Sequence, residues 1–120
     1  MAKLKRLISI DLSLNLLTGT ISGPVIASMK NLKVYLNLSS SFLIGKIPNE
    51  LGKLEMVQVI DISNNNFLGN IPISIQSCRN IQSLDLSQNK LTGIIPEDFG
   101  NMLTLEHLNI SFNQLEGCTR

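Results

Sequence analysis

Tryptophan is absent from this chain, tyrosine occurs once and phenylalanine four times in 120 residues, so no large aromatic cluster can fill its interior. Hydrophobic residues nevertheless make up 43% of the chain, enough for one continuous core in one domain, and they are chiefly Leu and Ile. A core of many similar aliphatic wedges is what repetition of a small unit produces. Charge of either sign is also scarce in any one place. The formal net charge is +1 with Lys and Arg spread along the chain, which excludes nucleic acid and anionic membrane as electrostatically driven partners.

Cysteine is represented only by Cys78 and Cys118, too far apart for a metal-type or redox-type spacing and too few for a disulfide framework. Cys78 stands where other segments place Leu or Met and is expected to be a buried, small apolar side chain. Cys118, near the end, is expected to be an exposed free thiol able to form intermolecular disulfides in an oxidising medium. Histidine occurs once, as His107, without a Ser or Cys nucleophile at a readable spacing, and no Gly-rich phosphate loop is present. Catalytic residues, metal ligands and cofactors are therefore not expected. No run approaches the ~18 apolar residues of a membrane span. The start, Met1 to Ile8, has the basic and apolar parts of a secretory leader, but Asp11 and Asn15 interrupt it and no small-residue cleavage site follows, so it is not read as a leader.

What the chain does contain is one hexapeptide written five times: Ile10-Asp-Leu-Ser-Leu-Asn15, Leu36-Asn-Leu-Ser-Ser-Ser41, Ile60-Asp-Ile-Ser-Asn-Asn65, Leu84-Asp-Leu-Ser-Gln-Asn89 and Leu108-Asn-Ile-Ser-Phe-Asn113. A Gly-x-Ile element follows at Gly19, Gly45, Gly69 and Gly93, and Pro48, Pro72 and Pro96 come directly after the last three of these isoleucines. Ile47 to Ile71 and Ile71 to Ile95 are 24 residues each, whereas Ile21 to Ile47 is 26, which places a two-residue insertion between Gly23 and Leu36.

Alternating apolar and polar residues predict half-buried strands near residues 8–12, 35–39, 59–63, 83–87 and 107–111. So short a strand cannot bury its face alone, so successive turns must stack with their strands in parallel. The fold expected is an α/β repeat: a right-handed solenoid with a concave parallel sheet and an irregular or 3₁₀ convex side. Its turns run approximately over 4–27, 28–53, 54–77, 78–101 and 102–120. Leu4/Leu7, Leu54/Val57, Cys78/Ile81 and Met102/Leu105 supply further core wedges on the returning arc. Asn15, Asn65, Asn89 and Asn113 follow the strands, where the chain bends and backbone groups face inward. A carboxamide carries both donor and acceptor, so these four are expected to form a structural ladder between turns. Ser41 is expected to break it, its hydroxyl being too short to span the gap. Proline after isoleucine fixes an extended path that suits a second small strand or polyproline stretch on the flank.

Written as L-x-x-L-x-x-L-x-L-S-x-N-x-L-x-G-x-I-P-x-x-L-G-x, and carrying Leu91-Thr-Gly-Ile-Ile-Pro96, the chain resembles the plant-specific class of leucine-rich repeats over nearly its whole length. Tyr35-Leu-Asn-Leu-Ser39, with its lengthened approach, and Ile47 to Gln58 are similar to the late repeats of plant immune receptor kinases, including the flagellin receptor and its close relatives. The resemblance implies a non-enzymatic binding module: an excised piece or short relative of a cell-surface receptor ectodomain, at the outer face of the plasma membrane or secreted. It also implies a peptide or protein ligand and a co-receptor kinase as partners. No nucleic acid partner and no membrane insertion by this segment are expected.

Outward strand positions form the concave surface. One column is Asp11, Asn37, Asp61, Asp85 and Asn109; beside it run Ser9, Tyr35, Val59, Ser83 and His107, and Leu14, Ser40, Asn64, Gln88 and Phe112. Tyr35, Asp61, Asp85, His107 and Phe112 are the candidate ligand contacts, since aromatic and polar side chains dominate interface hot spots. Asn37-Leu-Ser39 and Asn109-Ile-Ser111 are N-glycosylation sequons on that same face in a secreted chain. A regular lattice of Asn, Ser and Thr on a solenoid also fits a second class, a structural or surface-adsorbing protein that binds ice or cell wall. Leu4/Leu7 and Leu105/Leu108 at the two ends are expected to be uncapped and to favour self-association.

Overall fold

The computed structural model describes residues 9–97, 99 and 102–116; the expectations for Leu4, Leu7 and Cys118 lie outside the described residues. Among the described residues nine short strands form in chain order: β1 (Ile10–Asp11), β2 (Thr18–Gly19), β3 (Tyr35–Asn37), β4 (Phe42–Lys46), β5 (Val59–Asp61), β6 (Asn66–Gly69), β7 (Ser83–Asp85), β8 (Lys90–Leu91) and β9 (His107–Asn109). The odd-numbered strands make a five-stranded parallel sheet in the order β1-β3-β5-β7-β9, and the even-numbered ones a second, four-stranded parallel sheet. In the first sheet Leu36 pairs with Ile60, and Ile60 with Leu84, at the repeat interval, while Ile10 pairs with Leu36 across the longer one. The insertion is thus absorbed elsewhere in the turn and leaves the register intact.

These strands stop at the Asp or Asn column, short of the serines at which the expected strands ended. The cause is local: that side chain accepts the N–H of the serine two residues on, as Asp61 Oδ1 does from Ser63 at 3.0 Å, and so starts a turn. Pairing between turns continues beyond the strands, with Leu38 N–H to the Asp61 carbonyl at 2.8 Å and Ser40 N–H to that of Ser63 at 3.0 Å. The bend is completed by one left-handed residue per turn, Leu14, Ser40, Asn64, Gln88 and Phe112, with φ of 56 to 59°. Only asparagine among these is well suited to that conformation, so stacking holds the other four there.

The returning arc has an apolar period of three: Pro48, Leu51, Leu54 and Val57 in one turn and Pro72, Ile75, Cys78 and Ile81 in the next. Each of these residues after the proline donates its N–H to the carbonyl of the one before, at 3.1, 3.2 and 3.4 Å in the first case and 3.2, 2.9 and 3.3 Å in the second. Three residues per turn keep every third side chain on one line, which is why the arc winds as 3₁₀ helix at Asn49–Lys53 and Ile73–Ser77. Gly52 permits these helices to touch, since a Cβ there would collide with the Ser74 backbone carbonyl. In the lengthened turn the extra residues complete a true helix instead, α1 (Gly23–Ser28), with Ser22 accepting the Val25 N–H at 3.4 Å as its cap.

The second sheet expected on the flank is present, and it lies upstream of the prolines. Pro48 and Pro72 instead cap the 3₁₀ helices. Its strands are staggered: Gly45 pairs with Phe67, two residues ahead of its repeat partner Gly69.

Equivalent side chains stack into one core, with Leu36, Ile60 and Leu84, then Leu38, Ile62 and Leu86, and Phe67 beneath the second sheet. Cys78 is in it, 1% exposed, its Sγ 3.5 Å from the Leu51 carbonyl. Burial, with a smaller contribution from the Glu55 charge, pushes its thiol up to about 12 from an ordinary 9.0. The unfolded chain therefore releases this proton first, and stability conferred by the group is lost as pH rises from about 9 toward about 12. We expect folded protein at pH 8 to leave Cys78 unalkylated by iodoacetamide, and denaturant to expose it, as read by peptide mass mapping.

Candidate functional site

The face of the five-stranded sheet turned away from the core carries the columns read from the sequence. Cα register aligns Tyr35, Val59, Ser83 and His107 in one and Asn37, Asp61, Asp85 and Asn109 in the next. Tyr35 and His107 are exposed and Asp61 and Asp85 half-buried, while Phe112 projects at 76% exposure from its left-handed turn. They do not converge on one point. Three rungs separate Tyr35 from His107, on the order of 14 Å at the usual strand spacing. Asp85 and His107 do line one depression, of about 400 Å³, together with Ser83, Glu106 and Asn109. Glu106 escaped the sequence reading because it stands one residue ahead of β9. Its N–H bonds the Gln82 carbonyl at 2.8 Å and so extends the ladder by one rung position.

Every member of the Asp/Asn column has one oxygen engaged. Asp11, Asp61 and Asp85 each accept both the N–H and the hydroxyl of the following serine, at 3.0 and 2.6 to 2.7 Å. Asn109 does the same at 3.1 and 2.7 Å, and Asn37 accepts the Ser39 N–H at 3.0 Å. The bonds from the Ser13 hydroxyl and N–H hold the Asp11 carboxyl below its ordinary value, against a smaller opposing effect of burial. Of the two sequon asparagines, Asn37 is half-buried and Asn109 exposed.

Behind this face run the buried asparagines. Asn65 Nδ2 donates to the carbonyls of Leu38, Ile62 and Ser63 at 3.0, 3.2 and 3.1 Å, and its Oδ1 accepts the Leu43 N–H at 3.1 Å. Asn89 repeats this one turn on, and Asn113 reaches the Leu86 carbonyl and the Leu91 N–H at 2.9 and 3.0 Å. Asn15 bonds only carbonyls of its own turn, those of Leu12 and Ser13. Ser41 departs from expectation: its hydroxyl does cross the gap, donating to the Asn15 carbonyl at 2.8 Å. It bonds the carbonyl of the residue at its own repeat position one turn earlier, a different carbonyl from the one a carboxamide reaches.

A second depression, missed by the sequence reading, lies on the flank. It is a shallow groove of about 1130 Å³ between the second sheet and the 3₁₀ helices, lined by Lys46, Ile71, Pro72, Ile73, Ile94 and Pro96 among others. The Ile-Pro element was the available signal, since it leaves Ile73 and Ile94 more than half exposed.

Parallel strands one per turn, a buried asparagine under each bend and a 3₁₀ arc behind them define a leucine-rich-repeat solenoid. Family models described as Leucine Rich Repeat and Leucine rich repeat match residues 34–54 and 55–115, and the chain belongs to that family. Among solved structures it is similar to the Arabidopsis receptor kinase HAESA, in a complex with the peptide hormone IDA and the co-receptor SERK1, at 35% identity and a TM-score of 0.86. That match covers 90% of this chain and 18% of HAESA. It is similar to the BIR2 ectodomain from Arabidopsis thaliana at 35% identity and TM-score 0.84, covering 89% of this chain and 55% of BIR2. A plant ice-binding protein matches at 36% identity and TM-score 0.83, over 90% of this chain and 34% of that one. The chain thus spans little more than half of these relatives at most. No curated protein matches.

Proposed function

We propose that this chain is a peptide- or protein-binding leucine-rich-repeat module from, or related to, the ectodomain of a plant cell-surface immune receptor of the flagellin-receptor kind. It acts outside the plasma membrane, with a co-receptor kinase as second partner, and it is not an enzyme. The observation that carries this reading is the open five-stranded face, set on a scaffold similar to a receptor kinase solved with a peptide hormone and a co-receptor. The same chemistry accounts for a role in binding: the face offers side-chain hydrogen bonding and two exposed aromatics, and among the described residues no metal-holding group of His, Cys, Asp and Glu. Displayed at high density on beads, the chain should retain peptides from a plant secreted fraction that beads carrying an unrelated solenoid do not.

The similarity to an ice-binding protein favours a second reading, adsorption to a repetitive surface. The exposed columns do not repeat in kind, however, since Leu14, Ser40, Asn64, Gln88 and Phe112 occupy one equivalent position. Inhibition of ice recrystallisation at micromolar protein, with no peptide retained, would decide for that second reading.

In isolation the chain is expected to bind its ligand weakly. Five rungs span about 24 Å and the width of five residues is roughly 17 Å, giving a face on the order of 400 Å². Each partner in a standard interface buries about 800 Å². Leu14, Leu16 and Leu103 are 81, 80 and 98% exposed, and apolar exposure of this kind favours self-association. Size exclusion with light scattering should show dimers or larger species at micromolar concentration, and a monodisperse monomer with nanomolar peptide affinity would refute both expectations.

A further inference from the structure

Among the described residues, the five-stranded face is unpartnered and its charge is of one sign. Asp11, Asp61 and Asp85 lie in its strands and Glu106 immediately before β9. None of the described Lys or Arg residues is in those strands or in the turns that follow them. Lys30 and Lys53 are on or beside the helical arc, Lys46 and Lys90 are in the second sheet, and Arg79 is in the arc; the nearest in sequence is Lys33, two residues ahead of β3.

The negative charge is not required by the fold. The structural duty of this column is to accept the N–H of the serine two residues on, and Asn37 and Asn109 perform it at 3.0 and 3.1 Å without any charge. Asp61 and Asp85 do the same at 3.0 Å and also accept the serine hydroxyl, as uncharged Asn109 does, yet they sit in adjacent register, about 4.8 Å apart by strand spacing. Two carboxylates so placed repel each other, and a cation laid over them relieves the repulsion. Their second oxygens are left for such a partner. Among the described residues no three acidic, His or Cys groups converge as a metal ion requires, so the charges form a row rather than a cage. Exposed Tyr35 and Phe112 offer ring faces that also attract cations.

We propose that this face takes an extended peptide that presents basic side chains to the sheet, with Asp61, Asp85 and Glu106 as the groups that meet them. The inference rests on the peptide-binding reading and adds the charge class of the ligand. It assigns to Asp61 and Asp85 a recognition role beyond their turn, and to Glu106 a role in the depression beside His107.

The test is panning of a multivalent random dodecapeptide library against the full chain, followed by titration of an enriched peptide. Enrichment in Arg and Lys is expected. Asp61→Asn with Asp85→Asn keeps the turn acceptors, so the melting temperature should hold while binding falls about tenfold, the equivalent of about 1.4 kcal/mol. Asn37→Asp extends the charged column and should tighten binding, and Glu50→Gln with Glu55→Gln, which removes as much charge off the face, should leave it unchanged. Binding should also weaken at about 1 M salt, where screening acts within about 3 Å. Enriched peptides without basic residues, or binding indifferent to both Asp61→Asn/Asp85→Asn and Asn37→Asp, would overturn the charge assignment while leaving peptide binding intact. Absence of enrichment over bare beads would overturn peptide binding and this inference together.

Discussion

Asn89→Ala should lower the unfolding free energy by about 3 kcal/mol, with the denaturant midpoint falling and the slope unchanged. The side chain is 8% exposed and makes four bonds: Nδ2 to the carbonyls of Ile62, Leu86 and Ser87 at 3.1, 3.2 and 3.1 Å, and Oδ1 from the Phe67 N–H at 3.1 Å. Removing it orphans the buried Phe67 N–H, at roughly 1–3 kcal/mol, and takes one of two donors from each carbonyl, since Ile62 keeps Asn65, Leu86 keeps Asn113 and Ser87 keeps the Asn64 N–H. The carbonyls can recover part of this by relaxing, so the losses do not add. Asn89→Asp should be no milder, because an ionised carboxylate would face three carbonyl oxygens. Asn113 is only half-buried, so Asn113→Ala should cost less than Asn89→Ala. A change within ~0.5 kcal/mol at Asn89 would place it with ordinary surface substitutions and refute the role given to the buried carboxamide.

Phe67→Ala is expected to cost more still, about 3–5 kcal/mol in the same melts. Phe67 is wholly buried and belongs to the Leu-x-Gly position, which Leu17, Leu43, Leu91 and Leu115 fill in the other turns. The ring therefore occupies space that an alanine would leave as a cavity at mid-stack, where turns on both sides resist collapse. Phe67→Leu restores the residue of the other turns and should cost about 1 kcal/mol. Because the Phe67 N–H is the donor to Asn89, the two alanine substitutions should be non-additive by at least ~0.5 kcal/mol. Full additivity would show that the ring and the carboxamide stabilise separate parts of the turn.

Several expectations failed for identifiable reasons. Strand ends were placed at the serines because alternation of apolar and polar residues continues through Leu38, Ile62 and Leu86, which are buried whether or not the backbone is in a strand. The turn begins earlier through a side chain that accepts from its own backbone, a competition that periodicity does not register. Proline after isoleucine pointed to a second strand on the flank, but the extended segment that pairs lies upstream of it, where Gly45 and Gly69 take φ of 83 and 81° and the neighbouring turn supplies the partner. Ser41 was judged by its length against the carbonyl that Asn reaches, whereas a different carbonyl was within range. Glu106 was missed because it stands one residue outside its strand, and the flank groove because it arises between turns rather than within one.

The chain alone determined the architecture. A hexapeptide of alternating character recurring at a near-constant interval admits stacked parallel strands and little else, since one turn cannot bury its own apolar face. The period of three in Pro48, Leu51, Leu54 and Val57 likewise dictates the winding of the arc, because it is a property of neighbours along the chain. Tertiary structure decided everything that passes between turns: the stagger of the second sheet, the carbonyls that Asn65 and Asn89 reach, the conversion of the lengthened arc into α1, and the depression that Asp85 shares with Glu106 and His107. Those depend on the rise and tilt from one rung to the next, which come from the packing of all core side chains together and are written in no single repeat.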